Sequence, residues 1–299
     1  MNSIYINKEF IKIKMKSVLS VEMSIISIIL AVLPFFSDFN LKNWDLCSFG
    51  KIFVVILFIF FIIFIAFVIS CFCVLRRTKN LIWRKSNSSL SIIYDDIFDL
   101  KMEKDKKYFV VIPVDTQFMT DVDIDSQNIK YPRVAPNTLH GKFINKFYGN
   151  NTNQLKKEIK DYIAMKEYKL DVNQQQKYSN LKAKRFEIGT VVQVSPENDT
   201  RAFFLLLALA EFNEHNHASC DQSKLIIALN SLFKFYDENC QGGDLYIPLM
   251  GTGFSRAGLT EAESLRITKA SAELNLDYIR GNVNIVIYKK YRKDISIFQ

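Results

Sequence analysis

Residues 52–75, IFVVILFIFFIIFIAFVISCFCVL, contain no charged side chain. A bilayer-crossing helix needs roughly 20 apolar residues. A segment apolar on every face has no polar side to turn to water. The run therefore predicts a helix able to span a membrane with some tilt. A second, weaker stretch lies at 18–36, VLSVEMSIISIILAVLPFF, interrupted by Glu22 and carrying Pro34 near its end. It competes as a first span, a signal peptide or an interfacial helix. The residues that follow, PFFSDFNLKNW, offer no small-residue cleavage site, which favours a span. Glu22 then sits about one turn into the helix, where it reaches the headgroup region; a contact between protomers is the functional alternative.

Charge around these segments sets an expected topology. Lys8, Lys12, Lys14 and Lys16 precede the first, and Arg76, Arg77, Lys79, Arg84 and Lys85 follow the second. The loop between them holds only Lys42 and Lys51. The positive-inside rule places both termini in the cytoplasm of a multi-pass inner-membrane protein. The basic cluster after the second segment also favours anionic lipid. Of the formal net charge of +8, this N-terminal third carries nearly all. The remainder is close to neutral, which argues against a broad nucleic-acid surface. The five cysteines, Cys47, Cys71, Cys73, Cys220 and Cys240, show no paired metal-binding spacing, so neither a disulfide framework nor a zinc site is expected.

The expected division is a membrane hairpin over 1–85 and a soluble domain over 86–299, joined by the polar linker KSNSSL at 85–90. Within the second part, LSIIYDD (90–96), KYFVVIPV (107–114), GTVVQV (189–194), DLYIPL (244–249) and NVNIVIY (282–288) read as strands. RAFFLLLALAEF (201–212) has helix propensity, but its place between other elements favours a central strand buried on both faces. A helical region is expected over 136–166, with a polar loop or irregular helix at 167–185. Leu225, Leu229, Leu232 and Phe233 recur at helical spacing within 221–243. Thr260 and Glu263 form a capping box opening a helix over 260–274. Alternating strands and helices predict an α/β domain with a largely parallel sheet.

The strand at 244–249 runs into PLMGTGFSRAGL, which holds Gly251, Gly253 and Gly258 before the next helix. Glycines let the backbone approach a ligand and adopt positive φ. Successive amides there can cradle an anion, aided by the dipole of the helix that follows. A P-loop is excluded because Leu259 stands where its lysine belongs, and a dinucleotide fingerprint because Arg256 stands where its third glycine belongs. On the glycines alone, a ligand-free tight turn remains an equal reading.

The segment Pro248–Gly253, P-x-x-G-T-G between strand and helix, resembles the phosphate loop of macro domains. YDDIFDL (94–100), VVIPVDTQF (110–118) and IGTVVQV (188–194) follow that family's order. HGKFI (140–144), ALAEFNEHN (208–216) and GGDLYIPLMGTGFSRAGL (242–259) narrow the resemblance to the macro-domain effectors of Thoeris antiphage systems. Members carry two N-terminal spans ahead of the macro domain. The resemblance implies a three-layer α/β/α sandwich behind a two-helix transmembrane hairpin. It implies an ADP-ribose-type ligand with Asp96 on the adenine amino group and no further cofactor. The implied signal is an NAD derivative such as a histidine adduct of ADP-ribose, made by a TIR-domain enzyme. The implied consequence is homo-oligomerisation, disruption of the lipid membrane and cell death.

The candidate ligand-binding set is Asp96, Ile97, Asp115, Gln117, Phe118, His140, Gly141, Gly251, Thr252, Gly253, Phe254, Ser255 and Arg256. Arg256 is a candidate clamp for phosphate or carboxylate, or else a surface partner of Glu261 or Glu263. Phe254 either stacks on a base or sugar or packs under the loop. His215 and His217 beside Glu214 lack a third metal ligand and read as a solvated loop. Where macro-domain hydrolases carry Asn-Ala-Ala-Asn, this chain has Pro113, Val114, Asp115 and Thr116; the Gly-Gly-Gly stretch is missing, with His140–Gly141 nearest to it. These departures lead to the expectation of a binder and not an enzyme. A membrane-tethered ADP-ribosyl hydrolase and a passive ADP-ribose reader are the alternatives.

Overall fold

A computed structural model describes residues 15–16, 18–27, 48–100, 106–122, 134–149, 151–171, 184–196, 201–212, 218–252 and 258–298. The chain forms two compact units, Met1–Thr78 with Lys293–Gln299, and Lys79–Arg292.

In the first unit, helix α1 (Ser48–Arg76) carries the uncharged run. Its apolar side chains face outward, Phe60 and Phe64 both being exposed. Of the other expected span, 18–27 is helical and 28–36 lies outside the described residues. Among the described residues no helix is long and apolar enough to cross a membrane. That finding overturns the expected placement as a multi-pass inner-membrane protein with both termini in the cytoplasm.

The second unit is built on one mixed sheet. Strand β1 (Lys79–Lys85) turns through Ser86 into β2 (Ser88–Asp95). The stretch expected as a polar linker is thus a hairpin, with Lys85 opposite Ser88 and Ser86 at φ 50. A two-residue hairpin turn requires such a positive φ. The remaining strands are β3 (Tyr108–Asp115), β4 (Val191–Val194), β5 (Ala202–Phe212), β6 (Ala218–Ser219), β7 (Asp244–Pro248) and β8 (Asn282–Tyr288). Their order is β1-β2-β8-β7-β3-β5-β4, with β6 paired to β5. Strands β2, β8, β7, β3 and β5 are parallel, while β1, β4 and β6 pair antiparallel. The expected largely parallel sheet is therefore parallel in its centre only. β1–β2 and β4–β5 have connections too short for the dozen or so residues that a parallel crossover needs.

β5 settles the ambiguity at 201–212. It is a strand, with Leu205, Leu206, Leu207 and Ala208 fully buried. Successive side chains on a strand point to opposite faces, so both faces of β5 are covered. On one face Phe204, Leu206 and Ala208 join Val110, Ile112 and Val114 of β3. They pack under α2 (Leu139–Phe147) and α3 (Thr152–Lys166) through Phe143, Ile144, Leu155 and Ile159. The expected single helical region is thus two helices, parted at Gly149 with φ 51. On the other face lie α4 (Gln222–Asn239) and α5 (Glu261–Leu274), which pack against each other. Leu225, Leu229, Leu232 and Phe233 of α4 are all fully buried, as their spacing requires. Thr260 and Glu263 form the expected capping box.

The α2 face is dominated by three rings. Phe204 lies 4.8 Å from Phe143 and 4.5 Å from Phe147, centroid to centroid. With Phe204 only 3% exposed, Phe204→Ala is expected to lower stability by about 3–5 kcal/mol. Denaturant unfolding of the variant beside the unmodified chain checks this.

Candidate functional site

The parallel strands discharge at one edge of the sheet, where ligands of open α/β sheets bind. A cleft of about 600 Å³ lies there. The residues leaving β2 supply Asp95, Asp96 and Ile97; β3 supplies Asp115; β7 supplies Pro248 and then Leu249, Met250, Gly251 and Thr252; β8 supplies Tyr288, Lys290 and Tyr291. The start of α2 closes another side with Thr138, His140 and Lys142.

Each wall is set by local polar bonding. After β2, the Phe98 N–H donates to Asp96 Oδ1 at 3.0 Å and the Asp96 N–H to Asp95 Oδ1 at 2.9 Å. This tight Asx-type turn presents Asp96 and Ile97. After β3, Asp115 accepts from the Gln117 N–H at 2.8 Å and from the Met119 N–H at 3.2 Å. Its carboxylate thus shapes its own loop. The loop carries Phe118 at φ 53 and sends that ring into the core, edge-on to Phe186. After β7, Gly251 takes φ 84, a conformation that favours glycine. The preceding Met250 is gripped from α5: its N–H donates to Ser264 Oγ at 3.0 Å, and the Ser264 hydroxyl donates to its carbonyl at 2.6 Å. At α2, Thr138 Oγ1 accepts from the Gly141 N–H at 2.9 Å as the N-cap. A side chain at Gly141 would overlap the Ala135 carbonyl. Gly141 therefore allows the close approach of α2 to the 135–136 backbone that seats His140.

Of the sequence candidates, Asp96, Ile97, Asp115, His140, Gly251 and Thr252 lie on the cleft wall. Gln117, Phe118 and Gly141 do not; their side chains or positions serve the loop, the core and helix packing. Gly253, Phe254, Ser255 and Arg256 lie outside the described residues, as do His215 and His217. Among the described residues no group of three His, Cys, Asp or Glu side chains is placed to hold a metal ion. The helix dipole expected to assist the glycine loop is engaged by its own cap. Glu263 accepts from the Thr260 N–H at 2.8 Å, which holds its carboxyl below the ordinary value. A phosphate at that helix end would meet this carboxylate.

Sequence reading missed Tyr288, Lys290 and Tyr291, although they follow the last parallel strand and so fall under the same carboxyl-edge rule. It also missed Ser264, a buried hydroxyl inside a helix whose partner is set only by tertiary packing.

Burial shifts two wall groups in opposite senses. It pushes the Asp115 carboxyl up to about 6, opposed by the amides of Gln117 and Met119 and by Arg185. It pushes the His140 imidazole down to about 3, keeping it neutral.

A mixed sheet with helices on both faces, and a cleft across strand ends closed by an acidic turn and a glycine turn, defines a macro-type α/β domain, a class that binds ADP-ribose-type ligands. Residues 90–288 match the family described as Thoeris protein ThsA, macro domain. The match covers two thirds of the chain, and the chain belongs to that family. No curated protein matches it. Similar solved structures include the Oceanobacillus iheyensis macrodomain with MES bound, at 12% identity and TM-score 0.46, over 74% of this chain and 94% of that one. The same macrodomain with ADP gives 12% identity and TM-score 0.45, over 75% and 95%.

The two buried groups make opposite contributions to pH dependence. Asp115 binds its proton more tightly folded than unfolded, so its contribution falls as pH rises from about 4 to 6. His140 binds its proton less tightly folded, so its contribution rises with pH between about 3 and 6.5. Relative to the unmodified chain, Asp115→Asn should therefore make the slope of stability against pH more positive between about pH 4 and 6, and His140→Asn should make it less positive. Urea unfolding at several pH values in that window checks both signs.

Proposed function

We propose that the domain is a sensor that binds an NAD-derived ADP-ribose-type nucleotide, with the base end at Asp96 and Ile97 and the diphosphate along Met250–Thr252. The observation that carries this is that both turns line one cleft, inside the span matched by the family. Amides at a positive-φ glycine suit an anion, and Lys142 and Lys290 on the wall add positive charge. A histidine adduct of ADP-ribose, made by a TIR-domain enzyme, is the proposed signal. Ligand binding shifts the population toward self-association of the chain. The reading ends there: with no described helix able to cross a membrane, membrane disruption is not part of it.

A second reading, ADP-ribosyl hydrolysis, draws on Asp115. It is a buried wall carboxyl titrating near 6, within the range suited to acid–base work. Its two backbone hydrogen bonds favour the loop-shaping role instead.

Calorimetric titration with ADP-ribose and with its histidine adduct tests the proposal. The expected result is saturable binding, with the ligand recovered intact. Gly251→Glu puts bulk and negative charge where the backbone now has φ 84 and should abolish binding, with circular dichroism reporting whether the variant is folded. Release of ADP-ribose from a modified protein would favour hydrolysis instead. No heat with either nucleotide removes the ligand assignment altogether.

A further inference from the structure

The turn that carries Asp96 and Ile97 is anchored from below by Ile97, which is buried in the core, with Phe98 and Leu100 packed against it. A pocket of about 140 Å³ opens beside these side chains and Phe147. The polar side of the turn, which carries the Asp95, Asp96 and Asp99 carboxylates, has no such packing and depends on charge and hydrogen bonding.

The turn is held from outside by two ammonium groups on separate elements. Lys146, in the last turn of α2, donates to the Phe98 carbonyl at 3.0 Å and to Asp99 Oδ1 at 2.8 Å. Its charge also stands over the rings of Phe98 and Phe147, at 5.8 and 6.0 Å, and those rings pair at 5.9 Å. Lys289, directly after β8, reaches Asp95 Oδ1 at 2.7 Å. That same oxygen accepts from the Asp96 N–H. The position of Lys289 is thus passed to the backbone of Asp96 through one atom. Hydrogen bonding to Lys146 holds the Asp99 carboxyl below its ordinary value, which keeps the pair charged in mildly acidic solution.

We propose that Lys146 and Lys289 are positioning residues for base recognition: they fix the Asp95–Asp99 turn so that Asp96 and the Ile97 backbone meet the base of the nucleotide. The inference rests on the ADP-ribose reading of the cleft. Exposed ion pairs contribute little to global stability, and both lysines are largely exposed. Their removal should therefore leave the fold standing and loosen one wall of the cleft. Selectivity between bases is the property that such loosening changes, because it depends on where Asp96 stands relative to an exocyclic amino group.

The test uses the full chain, titrated calorimetrically with ADP-ribose and with its hypoxanthine counterpart, which has a carbonyl in place of the adenine amino group. The unmodified chain should prefer ADP-ribose. Lys146→Met and Lys289→Met should each reduce that preference by about fivefold, the upper range for an exposed pair, with little change in Tm. Lys146→Arg should restore it. Lys156→Met, which removes an ion pair of 2.7 Å to Asp121 away from this turn, should leave it intact. The proposal is overturned if the preference survives both methionine variants, if the two affinities fall together, if Lys156→Met has the same effect, or if the unmodified chain shows no preference. Absence of binding to either nucleotide by the unmodified chain instead overturns the ligand reading beneath the proposal.

Discussion

β5 must be shielded from water on both faces, and much of the second unit follows from that demand. Its two rows of side chains, Phe204-Leu206-Ala208 and Leu205-Leu207-Leu209, are all buried. A strand apolar on both sides is stable only with a layer of helix over each face. α2 and α3 cover the first row and α4 lies over the other, with α5 packed beside it against β8. Helical crossovers between neighbouring strands keep those strands parallel. Parallel strands in turn end on the same edge, so the burial of β5 also decides where a cleft can form.

At that edge the chain gathers groups that would be costly in the core. Asp115 is only 5% exposed, yet its oxygens are taken by two backbone amides. Buried Arg185, whose guanidinium donates to the Phe212 carbonyl at 2.8 Å, lowers the electrostatic cost of ionising Asp115. His140 meets the same problem in another way, remaining neutral. At neutral pH His140 is uncharged, and the cleft wall carries Asp95, Asp96 and Asp115 beside the exposed Lys142 and Lys290, so acidic and basic groups share it.

The parts legible in the sequence are those governed by period and by cap chemistry. The α4 stripe and the Thr260–Glu263 box each depend on neighbours a few residues away, whereas β5 was read as a strand from its place between other elements, against its local propensity. Strand direction was less legible, because it depends on whether a connection crosses the sheet; this is why β4 is an antiparallel edge. The β1–β2 turn was read as linker because Ser and Asn suit turns and linkers alike. Within the site, the acidic and glycine turns were visible as motifs. Ser264 and Lys146 were not, since their partners lie 14 and 47 or 48 positions away. Phe118 stands at φ 53 with its ring in the core and away from the described cleft wall, and no sequence pattern marks a left-handed phenylalanine.

The walls of the cleft share one construction. Each is a loop fixed by a few polar bonds beside its packing on the core: Asp115 on Gln117 and Met119, Ser264 on Met250, Thr138 on Gly141, and Lys146 with Lys289 on the Asp95–Asp99 turn. These clamps differ in exposure. The Ser264 clamp on Met250 is fully buried, so bulk ions do not reach it. The lysine clamps stand in solvent, where salt weakens them. The two kinds of clamp therefore differ in their response to ionic strength: the Ser264 bonds to Met250 are indifferent to it, and the ion pairs at the acidic turn weaken. Added salt thus acts on one wall of the cleft through the protein's own ion pairs and leaves the Ser264–Met250 bonds untouched.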